Sequence, residues 1–417
     1  MKIYINGRRF FPKGGNWGFS EFLLRYGDAE YDRAVALHRE MNLNMIRNWV
    51  GQTGSDAFYQ ACDKYGIVVW QDFWLANPAD GPDPDDFDMF EDNARDYVSR
   101  IRSHPCIGLY CGRNEGNPPA LLGSRLSRAV GELHPGILYI PNSAEGGVSG
   151  HGPYRAVDPD SYFSIPADKF HTERGMPAMM EYPSLVRTVG EDHLWPNDDV
   201  WGQHDFTMTG AQGDATFMQM VRDGFGEEAM KDAESFCSAA QFINHEGYRA
   251  MYEANNVARK GLLIWMSHSA WPSLAWQTYD YFFDRTWAFE GVKKACEPLH
   301  VQFNPVTMQV QVVNSSCGRQ DSLSVRISVT DLEDEEVFAA AAELSLGEDM
   351  TVDAIDCSGV PDGPCTMTLT LEGKDGSILS ENVYFRNFKD GKNTGDYREL
   401  VGKIKKFQNK NNGDIQP

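Results

Sequence analysis

Positive charge is scarce in this sequence. Its 417 residues include 38 lysines and arginines against 60 aspartates and glutamates, a formal net charge of −22 at pH 7. Proteins that bind nucleic acid or anionic membranes need clustered basic side chains to meet the phosphate groups. We therefore expect neither nucleic acid nor a membrane among the partners of this chain.

Long apolar runs are missing as well. No run in the sequence reaches the roughly 20 residues that a membrane-spanning helix needs. Residues 1–13 are polar and strand-like, without the apolar centre of a secretory signal. The sequence leaves the location of the protein open, and a periplasmic or extracellular location would suit the full-length protein.

Paired cysteine motifs do not occur. The eight cysteines are scattered without a C-x-x-C spacing, so neither a zinc site nor a thioredoxin-like centre is indicated. Cys106 and Cys111 fall in an apolar run, where a thiol behaves as a small core residue. For Cys357 and Cys365 the sequence leaves two alternatives, a disulfide between them or two free thiols. We predict no metal and no organic cofactor.

Aromatic residues, by contrast, are plentiful. They make up 12% of the chain and include ten tryptophans, many of them beside glycines and polar residues at predicted strand ends. Flat aromatic faces in such places suit sugar rings. The composition therefore favours a carbohydrate as the ligand.

Most of the chain repeats a strand–helix unit of about 30 residues. Its strands are apolar without alternation, which is typical of a parallel sheet buried on both faces. We predict strands at 10–17, 44–50, 67–73, 107–111, 137–142, 151–154, 169–172 and 261–266. We predict helices at 28–41, 55–65, 90–104, 118–133, 215–224, 229–256 and 286–299. Eight units over residues 13–299 predict an α/β fold, a (β/α)₈ TIM barrel.

The pattern changes after residue 299. Segments 301–313, 322–329, 367–371 and 382–385 alternate apolar and polar residues with turn clusters between them. This predicts an immunoglobulin-like β-sandwich over residues 300–388. Residues 389–417 are polar and rich in lysine and asparagine, as in a linker or tail. Residues 1–12 are predicted to be a lead-in strand from a missing upstream domain.

The acidic stretch 80–92 has two interpretations. Carboxylates are the ligands that calcium prefers, but the spacing is not that of an EF-hand loop. A solvated loop that caps the following helix is the interpretation we favour.

One strand ends in residues that suggest chemistry. The apolar run 107–111 is followed by Gly112, Arg113, Asn114 and Glu115, and then by a helix. A buried strand cannot solvate Glu115, so we expect its carboxyl group at the mouth of the barrel, where partial desolvation would raise the pKa. The alternative is an ordinary charge at a helix N-terminus.

Several motifs together resemble glycoside hydrolase family 2. CGRNEG at 111–116 is similar to that family's acid/base segment, and FHTERG at 170–175 to its nucleophile segment. NMIRNW, IVVWQDF and LIWMSHSAWPSLAWQTYDYF resemble its second, third and eighth barrel strands. KGGNWG and HREMNLNMIRNWVGQTG look more like the branch of exo-β-glucosaminidases and β-mannosidases than like β-galactosidases.

The resemblance implies a retaining β-glycosidase. Glu115 would be the acid/base and Glu173 the nucleophile, two carboxyl groups that such a mechanism needs about 5–5.5 Å apart. Thr172 and Arg174 depart from the family pattern. We expect Arg174 to help keep Glu173 ionised. Rival carboxylates, Glu145 and Glu181, lack the flanking motif.

Further residues are predicted to bind substrate. Asn114 corresponds to a family asparagine that contacts the sugar 2-position, and Arg47 is expected to bond Glu173. Asp72 ends the third strand and is predicted either to bind the sugar or to hold a residue that does. Sugar platforms are expected at Trp17, Trp49, Trp74, Trp265 and Trp271. Polar donors are expected at His151, Tyr154 and His204, with Asp205 holding His204; Trp70 is assigned to the core.

The sequence therefore predicts hydrolysis of β-mannosides or β-glucosaminides. The partners expected are a carbohydrate substrate and the missing N-terminal domains of the same polypeptide. A non-catalytic carbohydrate-binding barrel and a β-galactosidase-type enzyme remain as alternatives.

Overall fold

The computed structural model describes residues 1–315 and 318–387. It opens on a hairpin of β1, Ile3–Ile5, and β2, Arg8–Phe10. Asn6 and Gly7 turn the chain between them with φ angles of 51° and 77°. Positive φ at both central positions is what the tight hairpin turn requires, and Asn-Gly adopts it readily. The predicted lead-in strand, residues 1–12, is thus a two-stranded hairpin.

Eight parallel strands follow and form one sheet. They are β3 Lys13–Trp17, β4 Met45–Asn48, β5 Val68–Asp72, β6 Ile107–Arg113, β7 Leu138–Asn142, β8 Val148–Ser149, β9 Phe170–Arg174 and β10 Leu262–His268. Their order is β7-β6-β5-β4-β3-β10-β9-β8, which is the cyclic order of a TIM barrel opened between β7 and β8. Met45, Trp70, Leu109, Phe170 and Leu263 fill its interior.

Helices cover the outside of this barrel. They are α1 Asp28–Glu40, α2 Asp56–Tyr65, α3 Phe87–Ile101, α4 Ala120–Leu133, α5 Tyr182–Val189, α6 Asp199–Gln203, α7 Met218–Phe225, α8 Ala233–Ala258 and α9 Trp287–Ala295. Local sequence sets their ends: the Ser55 hydroxyl accepts from the Ala57 amide, and Gly66 ends α2 at φ 68°. The Asp86 carboxylate caps α3 in the same way. The acidic stretch 80–92 therefore supplies a helix cap.

The sixth strand does not lie where the sequence predicted it. It is β8, Val148–Ser149, whereas segment 151–154 is a loop that crosses the end of β9. His151 and Gly152 have φ angles of 71° and 74°, and Pro153 has no amide hydrogen to donate to a sheet. The segment contacts the end of β9 through two backbone hydrogen bonds, from the Gly152 amide to the Glu173 carbonyl and from the Gly175 amide to the Pro153 carbonyl, without the regular extended backbone of a strand.

The barrel is also irregular at its fifth unit. Five residues, 143–147, connect β7 to β8, so no helix separates these strands. A right-handed crossover between neighbouring parallel strands needs about a dozen residues. The chain is too short for one here, which explains why β7 and β8 do not pair.

A β-sandwich follows the barrel. One sheet has the order β11-β12-β15 and the other β14-β13-β16-β17. The strands are β11 Leu299–Asn304, β12 Gln309–Asn314, β13 Gln320–Thr330, β14 Glu336–Leu346, β15 Met350–Asp356, β16 Cys365–Glu372 and β17 Ile378–Arg386. The predicted strand 301–313 is in fact two strands joined at 305–308. Their inward side chains form a separate core that includes Val312, Val325 and Leu369.

Helix α8 joins the two units through buried polar groups. The Arg249 guanidinium donates to the Val383 carbonyl at 2.6 Å, and Tyr384 donates to the Glu253 carboxylate at 2.8 Å. Asn382 also donates to Glu253, at 2.9 Å. These hydrogen bonds satisfy a charge pair that burial would otherwise penalise.

Two remaining predictions concern the rest of the chain. Cys357 and Cys365 are both buried free thiols.

The predicted tail, 389–417, lies outside the described residues, and the exact domain boundaries stay predictions. Within residues 1–315 and 318–387, no helix is long and apolar enough to cross a membrane.

Candidate active site

The two carboxylates predicted to be catalytic meet at the carboxyl ends of the barrel strands. Glu115 lies two residues after β6, and Glu173 is the fourth residue of β9. The Tyr154 hydroxyl lies between them, 3.2 Å from Glu115 Oε1 and 2.7 Å from Glu173 Oε2. One side chain from the loop after β8 therefore contacts both acids.

Arg47, on β4, organises the floor of the site. Its Nη1 donates to Glu173 Oε1 at 2.6 Å, and its Nη2 donates to Asn114 Oδ1 at 2.7 Å. Asn16 on β3 accepts from Nη1 at 3.2 Å and anchors its own amide on backbone carbonyls of β9 and β10. This buried guanidinium links strands across the barrel. Asn16 was not among the predicted site residues.

Asp72 is placed behind Arg47 and is 1% exposed. Its carboxylate accepts from Arg47 Nη2 at 2.8 Å, from the Trp70 indole at 2.7 Å and from the Val50 amide at 3.0 Å. With its oxygens occupied, it cannot reach a sugar. The substrate-contact role predicted for Asp72 is corrected to that of a counter-ion for Arg47, and Trp70 lies in the barrel core as predicted.

Burial governs the charge of Glu173. Its removal from water raises the pKa of the carboxyl group, while the Arg47 charge and the hydrogen bond from Tyr154 oppose that rise. Arg174 does not take part, because its guanidinium lies over the Tyr162 ring, 5.7 Å from the centroid. Burial lowers the pKa of Arg174 to about 10. The expectation that Arg174 would hold Glu173 ionised is wrong, since neighbouring residues on a strand face opposite sides.

Close packing against β10 requires glycine at position 175, directly after Glu173 and Arg174. A Cβ atom at Gly175 would overlap the carbonyl oxygen of Trp265 on β10. Only glycine lets the end of β9 approach β10 so closely. The motif FHTERG thus ends on glycine because of the neighbouring strand.

Glu115 occupies a more open position. It is half-buried, its φ angle is 46°, and its amide donates to the Ser143 hydroxyl at 3.0 Å. The Nδ1 atom of the exposed His151 lies 2.8 Å from Oε1, and the Asn77 amide donates to Oε2 at 3.4 Å. Left-handed backbone at a non-glycine residue is strained and occurs often at functional sites.

Asn114 is oriented by its neighbours. Its Oδ1 accepts from Arg47 and, at 3.2 Å, from the Ser143 hydroxyl. Its amide nitrogen consequently faces away from them and donates to no protein group in the part of the chain that the structure describes. That leaves one fixed donor beside the two carboxylates.

Tryptophans form a wall next to Tyr154. Trp265 lies 6.2 Å from the Tyr154 ring and 5.1 Å from Trp49, measured between ring centroids. Trp276 lies 6.0 Å from Tyr154 and donates its indole N–H to the Tyr154 carbonyl at 2.8 Å. Trp276 was missed as a site residue, although it belongs to the same aromatic segment as Trp265 and Trp271.

Trp17 is not a sugar platform. It is fully buried and stacks on His268 at 4.4 Å and on His38 at 5.5 Å. Burial lowers the pKa of His268 to about 3, so this histidine is a neutral core residue. Trp74 is half-buried, donates to the Gly51 carbonyl at 3.1 Å and packs on α3, which makes it part of the outer layer.

His204 and Trp271 form a separate pair. Their rings stack at 5.3 Å, and the Trp271 indole donates to Asp205 at 2.7 Å. His204 Nδ1 contacts the Pro272 carbonyl at 2.5 Å rather than Asp205. Among the described contacts, neither ring reaches Glu115 or Glu173. Asp205 therefore holds Trp271, not His204 as predicted.

The rival carboxylates have other partners. Asn142 donates to Glu145 at 3.4 Å in the turn after β7. Glu181 precedes α5, where burial and Asp280 raise its pKa to about 7. Within residues 1–315 and 318–387, no group of three or more His, Cys, Asp or Glu side chains could hold a metal ion.

Comparison with known proteins agrees with this geometry. The chain is 30% identical to a mannosylglycoprotein endo-beta-mannosidase of Lilium longiflorum over 79% of its length and 40% of that protein. It is 25% identical to an exo-beta-D-glucosaminidase of Streptomyces avermitilis over 91% of its length and 46% of that protein. No protein-family model matches the sequence.

Solved structures share the fold. The Amycolatopsis orientalis exo-chitosanase CsxA superposes with a TM-score of 0.82 at 21% identity, over 92% of this chain and 49% of the other. A beta-D-mannosidase from Dictyoglomus thermophilum gives 0.80 at 22%, over 91% and 50%. The chain spans about half the length of these relatives. These relatives are named β-mannosidases and exo-β-glucosaminidases, as expected for the branch of glycoside hydrolase family 2 that the sequence motifs resemble.

Proposed function

We propose that this chain carries the catalytic centre of a retaining β-glycosidase acting on β-mannosides or β-glucosaminides. The observation that carries the proposal is the Tyr154 hydroxyl, which contacts both Glu115 and Glu173. The two contacted oxygens are at most roughly 6 Å apart, which suits the ~5–5.5 Å between the carboxyl groups of a retaining enzyme better than the ~6.5–9.5 Å of an inverting one. This separation favours direct attack by one carboxylate.

Glu173 is the nucleophile in this proposal. Its Oε1 is held by Arg47 and its Oε2 by Tyr154, so the carboxylate is fixed before the substrate arrives. One oxygen attacks the anomeric carbon while the bond to the leaving oxygen breaks, and a glycosyl–Glu173 ester forms. Arg47 balances the negative charge that would otherwise be buried alone.

Glu115 is the acid and then the base. In the first step its proton passes to the leaving oxygen, and in the second the resulting carboxylate takes a proton from the water that cleaves the ester. The enzyme is thereby restored without any other proton donor. Glu115 suits both steps because it is half-buried, at the mouth of the barrel, where leaving group and water can reach it.

The free amide of Asn114 is proposed to donate to the sugar 2-substituent. A hydrogen bond there strengthens as the ring approaches the oxocarbenium-like transition state. A 2-hydroxyl in a mannoside and a neutral 2-amino group in a glucosaminide can each accept a hydrogen bond from this donor. The names of the lily and Streptomyces relatives support these two substrate classes.

Product stereochemistry tests the mechanism. A panel of aryl β-mannoside, β-glucosaminide and β-galactoside substrates identifies the sugar, and proton NMR then follows the first anomer released. We expect the β-anomer first; the α-anomer would overturn the retaining mechanism. A 2-deoxy-2-fluoro glycosyl fluoride of the preferred sugar should label the peptide that contains Glu173, and Glu173→Gln should abolish that label.

A further inference from the structure

A cavity of about 520 Å³ lies where the outer helices of the barrel meet the sandwich. Helices α7 and α8, the short 3₁₀ turn Pro159–Ser164 and the end of β17 enclose it. Phe163, Met220 and Phe242 contribute half-buried apolar surface to its lining. The carboxylates, Tyr154 and Arg47 do not line it. It is therefore a second concave surface, separate from the candidate active site.

The charged lining of this cavity is predominantly acidic. It includes two guanidinium groups, at Arg249 and Arg386, and five carboxylates, at Asp158, Asp160, Asp223, Glu246 and Glu253. Glu253 is 1% exposed and is bonded by Tyr384 and Asn382, so the other four carboxylates carry the negative charge that a ligand would meet. Both guanidinium groups already bond carboxylates: Arg249 with Glu246 at 2.6 Å, and Arg386 with Asp160 at 2.7 and 2.8 Å. An apolar ligand flanked by positive charge fits such a lining best.

The described part of the chain ends at this cavity, and the sequence beyond it contains a segment of apolar and cationic residues. Asn387, at the end of the described chain, lines the cavity. In the sequence beyond it, apolar residues recur with the spacing of one helical face, at Tyr397, Leu400, Val401, Ile404 and Phe407. Cationic residues stand between and beside them, at Arg398, Lys403, Lys405, Lys406 and Lys410. The segment thus has the complementary composition.

Chain connectivity allows the contact. Residues 388–396 separate Asn387 from this segment, and nine residues span at most about 30 Å. A ligand on so short a tether has an effective concentration in the millimolar range, so even a modest affinity keeps the site occupied. A free partner would have to compete with that local concentration.

We propose that residues 397–407 bind in this cavity, with their apolar residues against Phe163, Met220 and Phe242 and their cations against the acidic lining. The occupant is this segment of the same chain. Bound there, it contacts α7 and α8 of the barrel and β17 of the sandwich at once, and ties the two units together beyond the bonds of Arg249 and Glu253. The inference does not depend on the proposed catalytic function.

Limited proteolysis of the full chain tests the proposal. Trypsin cleaves after Arg398, Lys403, Lys405 and Lys406, so bound segment should be protected and released segment cut. The double variant Leu400→Asp/Ile404→Asp removes two apolar contacts without changing any cleavage site. We expect cleavage in this segment to become about tenfold faster or more, as for a locally opened element. The matched control, Gln408→Asp/Asn411→Asp, adds the same charge at polar positions and should leave the rate unchanged.

A variant of the cavity completes the test. Met220→Asp, which changes a half-buried side chain of the lining, should speed the same cleavages by a similar factor, while circular dichroism verifies that the barrel is folded. Equal rates in the parent and the Leu400→Asp/Ile404→Asp variant would overturn the proposal. Protection that rises with protein concentration would also overturn it, because the segment would then come from a second copy.

Discussion

Glu115 and Glu173 contact the same tyrosine hydroxyl, yet their surroundings differ. Glu173 is buried on a strand and is bonded by Arg47, which Asp72 in turn holds from behind. Glu115 is half-buried after a strand, on left-handed backbone, and its neighbours His151 and Asn77 come from loops. A nucleophile gains from a rigid site, whereas an acid/base group must meet a leaving group and then a water.

The strongest test of this contrast is to remove each carboxylate separately. Glu173→Gln should lower activity by about 10⁴-fold or more with every leaving group, because no nucleophile remains. Glu115→Gln should still form the glycosyl-enzyme from an activated aryl glycoside, and azide should restore turnover because it attacks without a general base. Burst and steady-state rates measure both steps. Parental activity in either variant would show that the roles are wrongly assigned.

The next largest effect is expected when the ion pairs of Arg47 with Glu173 and Asp72 are removed. Arg47→Met keeps an unbranched side chain but removes the charge that Glu173 and Asp72 share. We expect kcat to fall by about 10²–10³-fold and unfolding stability by about 3–5 kcal/mol, as for a broken buried pair. The pKa of Glu173 should rise further without the cation, so the acidic limb of kcat/KM should move to higher pH.

A control distinguishes charge from shape at this position. Arg47→Lys retains the cation but not the planar fork that reaches four acceptor residues, Asn16, Asp72, Asn114 and Glu173. Compared with Arg47→Met, Arg47→Lys should bring the acidic limb of the pH profile back toward that of the parent enzyme. It should recover a smaller share of kcat. An Arg47→Met enzyme with the parental acidic limb would mean that Arg47 does not set the ionisation of Glu173.

Tyr154→Phe should sharpen the comparison, because the lost hydroxyl serves both acids. The ring can keep its packing against Trp265 and Trp276. Losing a hydrogen bond to a charged group should lower kcat/KM by about 10–100-fold. Since that bond lowers the pKa of Glu173, its loss should move the acidic limb upward. An unchanged pH–rate profile would contradict the bond between Tyr154 and Glu173.

The tryptophans provide a smaller contrast. Trp265→Ala should lower kcat/KM on aryl glycosides by about tenfold, equivalent to ~1.4 kcal/mol, because it removes part of the wall beside Tyr154. Trp271→Ala should change the same constant by less than about threefold, since Trp271 packs on His204 and Asp205. Equal losses in the two variants would place Trp271 within reach of the substrate.

The smallest effect concerns stability. Burial raises the pKa of Glu173 above its ordinary value of 4.5, so folding favours the protonated form. At low pH the carboxyl group of Glu173 is neutral, and its burial does not destabilise the fold. As the pH rises through the pKa that the group has in the folded state, it ionises, and the buried charge lowers the free energy of unfolding. Glu173→Gln should raise Tm at pH 7 by a few degrees, with the difference vanishing below pH 4. A lower Tm at pH 7 would mean that Arg47 more than offsets burial.

Sequence reasoning succeeded where chemistry depends on neighbours along the chain. Glu115 follows the apolar strand β6 and Glu173 lies near the end of β9, and parallel strands bring their carboxyl ends together. The same logic placed Arg47 near Glu173. It failed for segment 151–154, where positive φ at His151 and Gly152 interrupts the extended backbone and the sixth strand forms at Val148–Ser149 instead.

The sequence by itself determined the parallel barrel, the following sandwich and the closeness of Glu115 and Glu173. The periodicity of apolar residues and the positions where strands end are properties of short stretches of sequence. Only the tertiary structure decided which faces the large side chains take. Trp17 turned inward onto His268, Asp72 turned behind Arg47, and Trp276 turned toward Tyr154. A side chain's surroundings come from segments distant along the chain, and those are fixed by packing rather than by spacing.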